Sequence, residues 1–180
     1  IIRDFYGPPF FNLTVNVRKD PGAYYAGFYN SSTNEMILKS SGNCDTATHE
    51  MTHGFRDDYW IYKETFEEGP VRAAETIAMT QAGRTDYWNY NNRYMYNQNY
   101  EGYNEGFVSG YDGDYFQGYS PMYLLRYQMG GFAWWKLHEK YPDILKDFNN
   151  RYYDAVTSDY TYQNSSQKLE QLMFTLAAAR

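Results

Sequence analysis

The sequence predicts an α+β fold in which a small N-terminal mixed sheet precedes a mainly helical C-terminal half. Three observations carry that expectation. Phe11, Leu13, Val15 and Val17 alternate with Asn12, Thr14 and Asn16, the two-residue period of a half-buried strand. Beyond Asp45 the apolar residues recur instead at helical spacing, punctuated by capping residues, Gly and Pro. The chain has 180 residues, 43% hydrophobic and 21% charged, which suits one packed domain over residues 1–180 rather than two cores or a disordered chain.

Residues 1–44 supply the sheet. The Phe11–Val17 strand ends at Asp20-Pro21-Gly22, a turn in which Pro fixes φ and Gly accepts positive φ. Ala23–Tyr29 is a second strand, broken by the Asn30–Asn34 cluster, and Met36-Ile37-Leu38 is a short, buried third. Residues 45–83 supply two helices. Asp45 caps the first, which ends near Gly54; Pro70 opens the second as a first-turn residue, and Gly83 stops it. Residues 86–118 are rich in Tyr, Asn and Gly with neither period, and read as a long irregular excursion. In the helical region 120–180, Ser120-Pro121 opens a helix to about Lys140, where Gly130-Gly131 lets a neighbour approach or kinks it. Helices follow over Asp143–Ala155 and Gln167–Ala178, and Leu169, Leu172, Met173 and Leu176 stripe the last one for packing against the domain.

Composition closes several function classes. Aromatic residues make up 21% of the chain, 22 of them Tyr, so rings must fill much of a core in which Leu, Ile and Val are scarce. A formal charge of -6 offers a phosphate backbone little to bind, which sets nucleic acid aside. No run approaches the eighteen or so apolar residues of a membrane span. Cys44 is alone, so no intrachain disulfide forms.

His49-Glu50-Met51-Thr52-His53 is an HExxH motif. On a helix its two His lie one turn apart on one face and can share a metal ion, with Glu50 beside them as general base. A catalytic zinc takes three protein ligands and leaves one position open. The metzincin pattern, with Gly and a third His following at fixed spacing, fails because Arg56 and Tyr59 stand at those positions. Glu67, Glu68 and Glu75, near the start of the next helix, are the candidates for the third ligand. Asp112-Gly113-Asp114 lacks the EF-hand spacing, and His138 is read as structural or solvated.

HExxH followed after a short connector by Glu68-Gly69 and an alanine-rich helix resembles the gluzincin-type zinc metallopeptidases. The order of His-Glu-Met-Thr-His, Glu68-Gly69, Ala82-Gly83 and Trp88 is most similar to plant basic secretory proteins and their bacterial, peptidase-MA-like relatives, over roughly residues 23–141. The resemblance implies a zincin-like fold with Zn2+ held by His49, His53 and Glu68, Glu67 being the alternative ligand. It also implies an edge strand that holds extended substrate, here Ala23–Tyr29, and a Tyr that donates its hydroxyl to the oxyanion. Tyr127 is the first candidate for that Tyr, and Tyr123, one turn earlier, the second. Two features depart from the pattern: the chain is acidic, and Arg72 stands where some gluzincins place an Asp that holds a ligating His, leaving Glu75 to do so.

The expected function is zinc-dependent peptide hydrolysis, by default endopeptidase, in which zinc activates water and Glu50 takes its proton. The alternatives are a catalytically idle, metal-bound module that binds glycans or protein partners through residues 86–118, and a self-associating surface protein in which the His pair is incidental. Sequons at Asn12, Asn30 and Asn164, with the family likeness, point to an extracellular protein whose targeting signal or inhibitory propeptide lies outside this sequence.

Overall fold

Met36-Ile37-Leu38, the apolar run of the first third, takes the central position in the sheet, where both neighbours shield it. The computed structural model describes residues 2–10, 14–40, 44–56, 59–84 and 121–180, without the side chains at 64–65, 121–129 and 132. Strand β3 (Glu35–Leu38) pairs parallel with β1 (Asn16–Lys19) and antiparallel with β2 (Gly27–Asn30), giving the order β1-β3-β2. Tyr29, Met36 and Leu38 share one face and pack on Ala47 and Met51 of helix α2 (Cys44–Gly54).

Two strand expectations change. Residues 11–13 of the expected half-buried strand Phe11–Val17 lie outside the described residues; of the rest, only Asn16 and Val17 enter β1, which is exposed throughout, with Val17 61% exposed. Helix α2 packs beneath β2 and β3, so among the described residues β1 is an uncovered edge, and only Val15 reaches the cluster below the sheet. The Ala23–Tyr29 strand shortens to Gly27–Asn30 because the turn runs further than expected. Gly22 N–H donates to Asp20 Oδ1 and Ala23 N–H to the Asp20 carbonyl, and pairing resumes only where Lys39 N–H donates to Ala26 O.

The helices form the larger layer. A short α1 (Ile2–Tyr6), which the sequence did not suggest, precedes the sheet. Helix α2 starts at Cys44, one residue before the expected cap, so Asp45 lies in the first turn, where its charge suits the helix dipole. Helix α3 (Glu64–Gln81) begins well before Pro70 and holds that residue inside it. Pro70 has no N–H to give the carbonyl of Phe66 one turn back, and Arg56 Nη1 donates to that carbonyl instead, at 3.4 Å. The far end closes as the sequence suggests. Gly83 (φ +81°) lets its own N–H reach the Thr80 carbonyl while Arg84 N–H reaches Met79, a Schellman cap.

Helix α4 (Pro121–Lys140) lies against α3 at a close approach that its glycines permit. A Cβ on Gly69 would sit 2.8 Å from Trp134 Cδ1 and 3.2 Å from the Gly130 backbone, and one on Gly131 would meet the Arg72 side chain. Helix α5 (Ile144–Ser158), a 3₁₀ turn over Tyr160–Gln163 and helix α6 (Ser166–Ala178) complete the layer, with Ser165 Oγ capping α6 through Lys168 N–H. Leu169, Met173 and Leu176 of α6 are buried in one core with Phe66, Ile77, Trp134, Phe148 and Tyr152. The result is a mixed α+β fold with a three-stranded sheet and a mainly helical remainder. No helix among the described residues is long and apolar enough to cross a membrane.

Candidate metal centre

Helix α2 places His49 and His53 one turn apart on the face that meets α3, where both imidazoles are buried. Helix α3 answers with Glu67, Glu68 and Glu75. Its start at Glu64 is what turns Glu67 and Glu68 inward as helical residues rather than leaving them on a loop.

His49 Nε2 and His53 Nε2 lie 3.1 Å apart, and Glu68 Oε2 lies 3.2 Å from the first and 3.4 Å from the second. Tetrahedral metal–ligand bonds of about 2.0–2.1 Å would put neighbouring ligand atoms about 3.3–3.4 Å apart, so the triangle has the dimensions of one face of a zinc site. Glu68 Oε2 is buried without a hydrogen bond of acceptable geometry. A buried carboxylate oxygen in that condition is costly unless a cation or a proton shares the space. His49, His53 and Glu68 can therefore hold a metal ion.

The opposite edges of the imidazoles are also held. His49 Nδ1 faces Glu75 Oε2 at 3.1 Å and His53 Nδ1 faces Glu67 Oε1 at 2.8 Å. A carboxylate has no proton to give, so each Nδ1 is the donor, and in the neutral ring each Nε2 is left with a lone pair aimed at Glu68. Glu67 cannot double as a ligand through its other oxygen. Its Oε2 accepts from Arg56 Nη1 at 2.5 Å and from the Ile61 backbone N–H at 3.2 Å. Arg56 is fully buried, donates through Nε to Asn149 Oδ1 at 2.9 Å, and lies over the Tyr6 and Tyr152 rings. Arg72 Nη1 holds Glu75 in the same way at 2.5 Å, and Trp60 stacks on the His53 ring at 4.7 Å.

Glu50 points from α2 toward β2. The Lys39-to-Ala26 bond and the register show that Ala26, Phe28 and Asn30 bond to β3, so the backbone groups of Gly27 and Tyr29 face the other way. Among the described residues no further strand pairs there. Glu50 stands at that edge, accepting the Tyr29 backbone N–H. Gly27 makes room for it, since a Cβ there would lie 2.9 Å from Glu50 Cγ. Burial pushes the Glu50 carboxyl above its ordinary pKa against the pull of the two histidines, the direction a proton acceptor near neutrality needs.

Burial opposes charge on both histidines, yet their carboxylate partners win. The nearby charge of Glu68 and the hydrogen bond to Glu67 hold His53 up to about 10, and the facing carboxylates of Glu68 and Glu75 raise His49. Burial would raise Glu68, but the facing His53 and His49 keep its carboxyl far below the usual range. Without a metal, a proton on His53 therefore takes the cation's place. Because the folded pKa is raised, that proton stabilises the metal-free fold fully below about pH 6.5 and progressively less as pH climbs toward about 10. Zinc uptake at pH 7 should release at least about one proton, seen in calorimetry as an enthalpy that changes with the buffer's ionisation heat. A buffer-independent enthalpy would mean that His53 enters the site neutral.

The oxyanion candidates and the excursion lie outside this geometry. The side chains of Tyr127 and Tyr123 are outside the described residues, although α4 includes both positions. Residues 86–118, with Asp112-Gly113-Asp114, and the sequon residue Asn12 are also outside them. His138 is half-buried on α4 with its ring edge against Phe5, apart from the cluster. Sequence reasoning missed Arg56, Asn149 and Trp60, because none of them stands in a motif and each acts through a residue that does. No protein-family model, no curated protein sequence and no solved structure matches this chain.

Proposed function

We propose that this protein is a gluzincin-type zinc peptidase with a zincin-like fold that hydrolyses internal peptide bonds outside the cell. The observation that carries this reading is the convergence of three buried acceptors, His49 Nε2, His53 Nε2 and Glu68 Oε2, beside the Glu50 carboxylate on the same helix as the two histidines. The donor set of two imidazoles and one carboxylate suits zinc. Zinc held there supplies Lewis-acid chemistry, polarising a carbonyl and acidifying water.

The chain's own residues do the rest. An extended peptide laid beside β2, on the side of Gly27 turned away from β3, lies alongside Glu50, whose bond to the Tyr29 N–H it leaves in place. The Glu50 carboxylate takes a proton from the attacking water and passes it to the leaving amide nitrogen, so no covalent enzyme intermediate is needed. Glu67 and Glu75 keep the His53 and His49 protons on Nδ1, and Tyr127 or Tyr123 of α4 donates a hydroxyl to the developing oxyanion.

The test is cleavage of an unfolded protein mixture by zinc-loaded protein. Fragments that appear with zinc, cease on chelation and return on zinc addition support the reading. A zinc-loaded, folded protein that leaves the mixture intact overturns it.

A further inference from the structure

Helix α5 buries Ile144, Leu145, Phe148, Tyr152 and Val156 on one face, and among these apolar and aromatic residues it also buries Asn149 completely. A buried amide is costly unless both its ends are paired. Here both are. Asn149 Oδ1 accepts from Arg56 Nε at 2.9 Å, and Nδ2 donates to the Tyr6 carbonyl at 3.3 Å. Tyr152, one turn further on and equally buried, donates its hydroxyl to the Tyr59 carbonyl at 2.8 Å.

Neither residue supplies a metal donor, yet both lead to His53. Arg56, held through Nε by Asn149, presents Nη1 to Glu67 Oε2, and Glu67 Oε1 holds His53 Nδ1. The Tyr59 carbonyl that Tyr152 anchors belongs to the peptide bond leading into Trp60, whose ring stacks on the His53 imidazole at 4.7 Å and 27°. One route fixes the imidazole in its plane, and the other lies against its face. His49 is held by a different pair, Glu75 and Arg72, both of α3. We infer that α5, which supplies no ligand, positions the His53 imidazole for the metal through Asn149 and Tyr152. This deepens the reading of the site as a zinc centre and rests on it for the identity of the ion.

Zinc affinity and imidazole nitrogen NMR shifts read this positioning without recourse to cleavage. Tyr152→Phe removes one hydroxyl and keeps the ring in the core. Asn149→Leu removes both amide bonds at nearly the same volume, whereas Asn149→Asp keeps the acceptor for Arg56 Nε and loses only the donor to Tyr6. In competition with a chelating dye, zinc affinity should fall about 3–10-fold in Asn149→Leu and about two- to threefold in Tyr152→Phe, and should stay within about twofold in Asn149→Asp. Added to Glu67→Gln, which already cuts that route, Asn149→Leu should cost less than about twofold more. With three His in the chain, the imidazole signals of zinc-loaded protein are readily assigned. The His53 Nδ1 signal should move in Tyr152→Phe and Asn149→Leu while that of His49 stays in place.

Unchanged zinc affinity in both Tyr152→Phe and Asn149→Leu overturns the inference. So does a loss that is equal in Asn149→Leu and Asn149→Asp and persists beside Glu67→Gln, which is what a loosened core without a route to His53 would give. Movement of the His49 and His53 signals together has the same meaning. If either Asn149 variant fails to fold, Tyr152→Phe decides, because losing one hydroxyl leaves the ring packing intact; an unmoved His53 signal there overturns the inference. A wild type that takes up no zinc removes the metal reading and this inference with it, whereas zinc bound without cleavage of any peptide removes the peptidase reading alone.

Discussion

Zinc-loaded protein carrying Glu50→Gln is expected to cleave peptides about 10²–10⁴-fold more slowly than the wild type, at equal zinc content. The substitution keeps the side chain's length and its oxygen acceptor for the Tyr29 N–H, so the edge of β2 and its contact with α2 survive. What disappears is the capacity to accept and return a proton. The expected loss corresponds to about 2.7–5.4 kcal/mol of transition-state stabilisation, well above what a shifted hydrogen bond costs. Steady-state rates on one peptide, with zinc measured on the same samples, check it. Equal rates would remove Glu50 as the base, and loss of zinc would make it part of the metal's support instead.

The second large effect divides two neighbouring carboxylates. Glu68→Ala should lower zinc affinity by roughly 10²–10³-fold, since it removes one of three protein donors and leaves the two imidazoles. Glu67→Gln should weaken zinc by only about 10–100-fold, since it loosens the hold on His53 Nδ1 without removing a donor. Its larger cost falls on the fold. Arg56 and Glu67 are both essentially fully buried, and removing one partner of such a pair costs about 3–5 kcal/mol because the other charge stays behind. Competition titrations with a chelating dye and denaturant melts on the two variants read these outcomes separately. If Glu67→Gln lost zinc and Glu68→Ala kept it, the ligand assignment would have to be exchanged.

The parts of the molecule that depend on short-range chemistry were legible in the sequence. HExxH could be placed on a helix because its spacing matches one turn, Gly83 announced the end of α3, and the α6 stripe announced its buried face. Where expectation and structure part, a distant residue decides. Pro70 reads as a helix start until Arg56, from the turn after α2, takes the carbonyl that Pro70 strands. Val17, at the end of the run Phe11–Val17, reads as buried until α2 proves to pack on β2 and β3. The same holds at the site. Two adjacent glutamates are indistinguishable by type, and only the helical phase of α3 turns Glu68 toward the imidazole Nε2 atoms and Glu67 toward Nδ1.

The Arg56 network also fixes when the metal centre can exist during folding. The Arg56–Asn149 bond joins residues 93 apart in sequence, and the bond from Asn149 to the Tyr6 carbonyl joins residues 143 apart. Contacts of such separation form only after the chain has closed on itself, which places them late among folding events. Helix α2 can coil early and bring two histidines together, yet Arg56, which grips the carboxylate that orients His53, is itself held by Asn149 of α5. A metal ion held by His49, His53 and Glu68 would therefore rest on contacts that span nearly the whole polypeptide, and its capture would report that those distant parts have found their places.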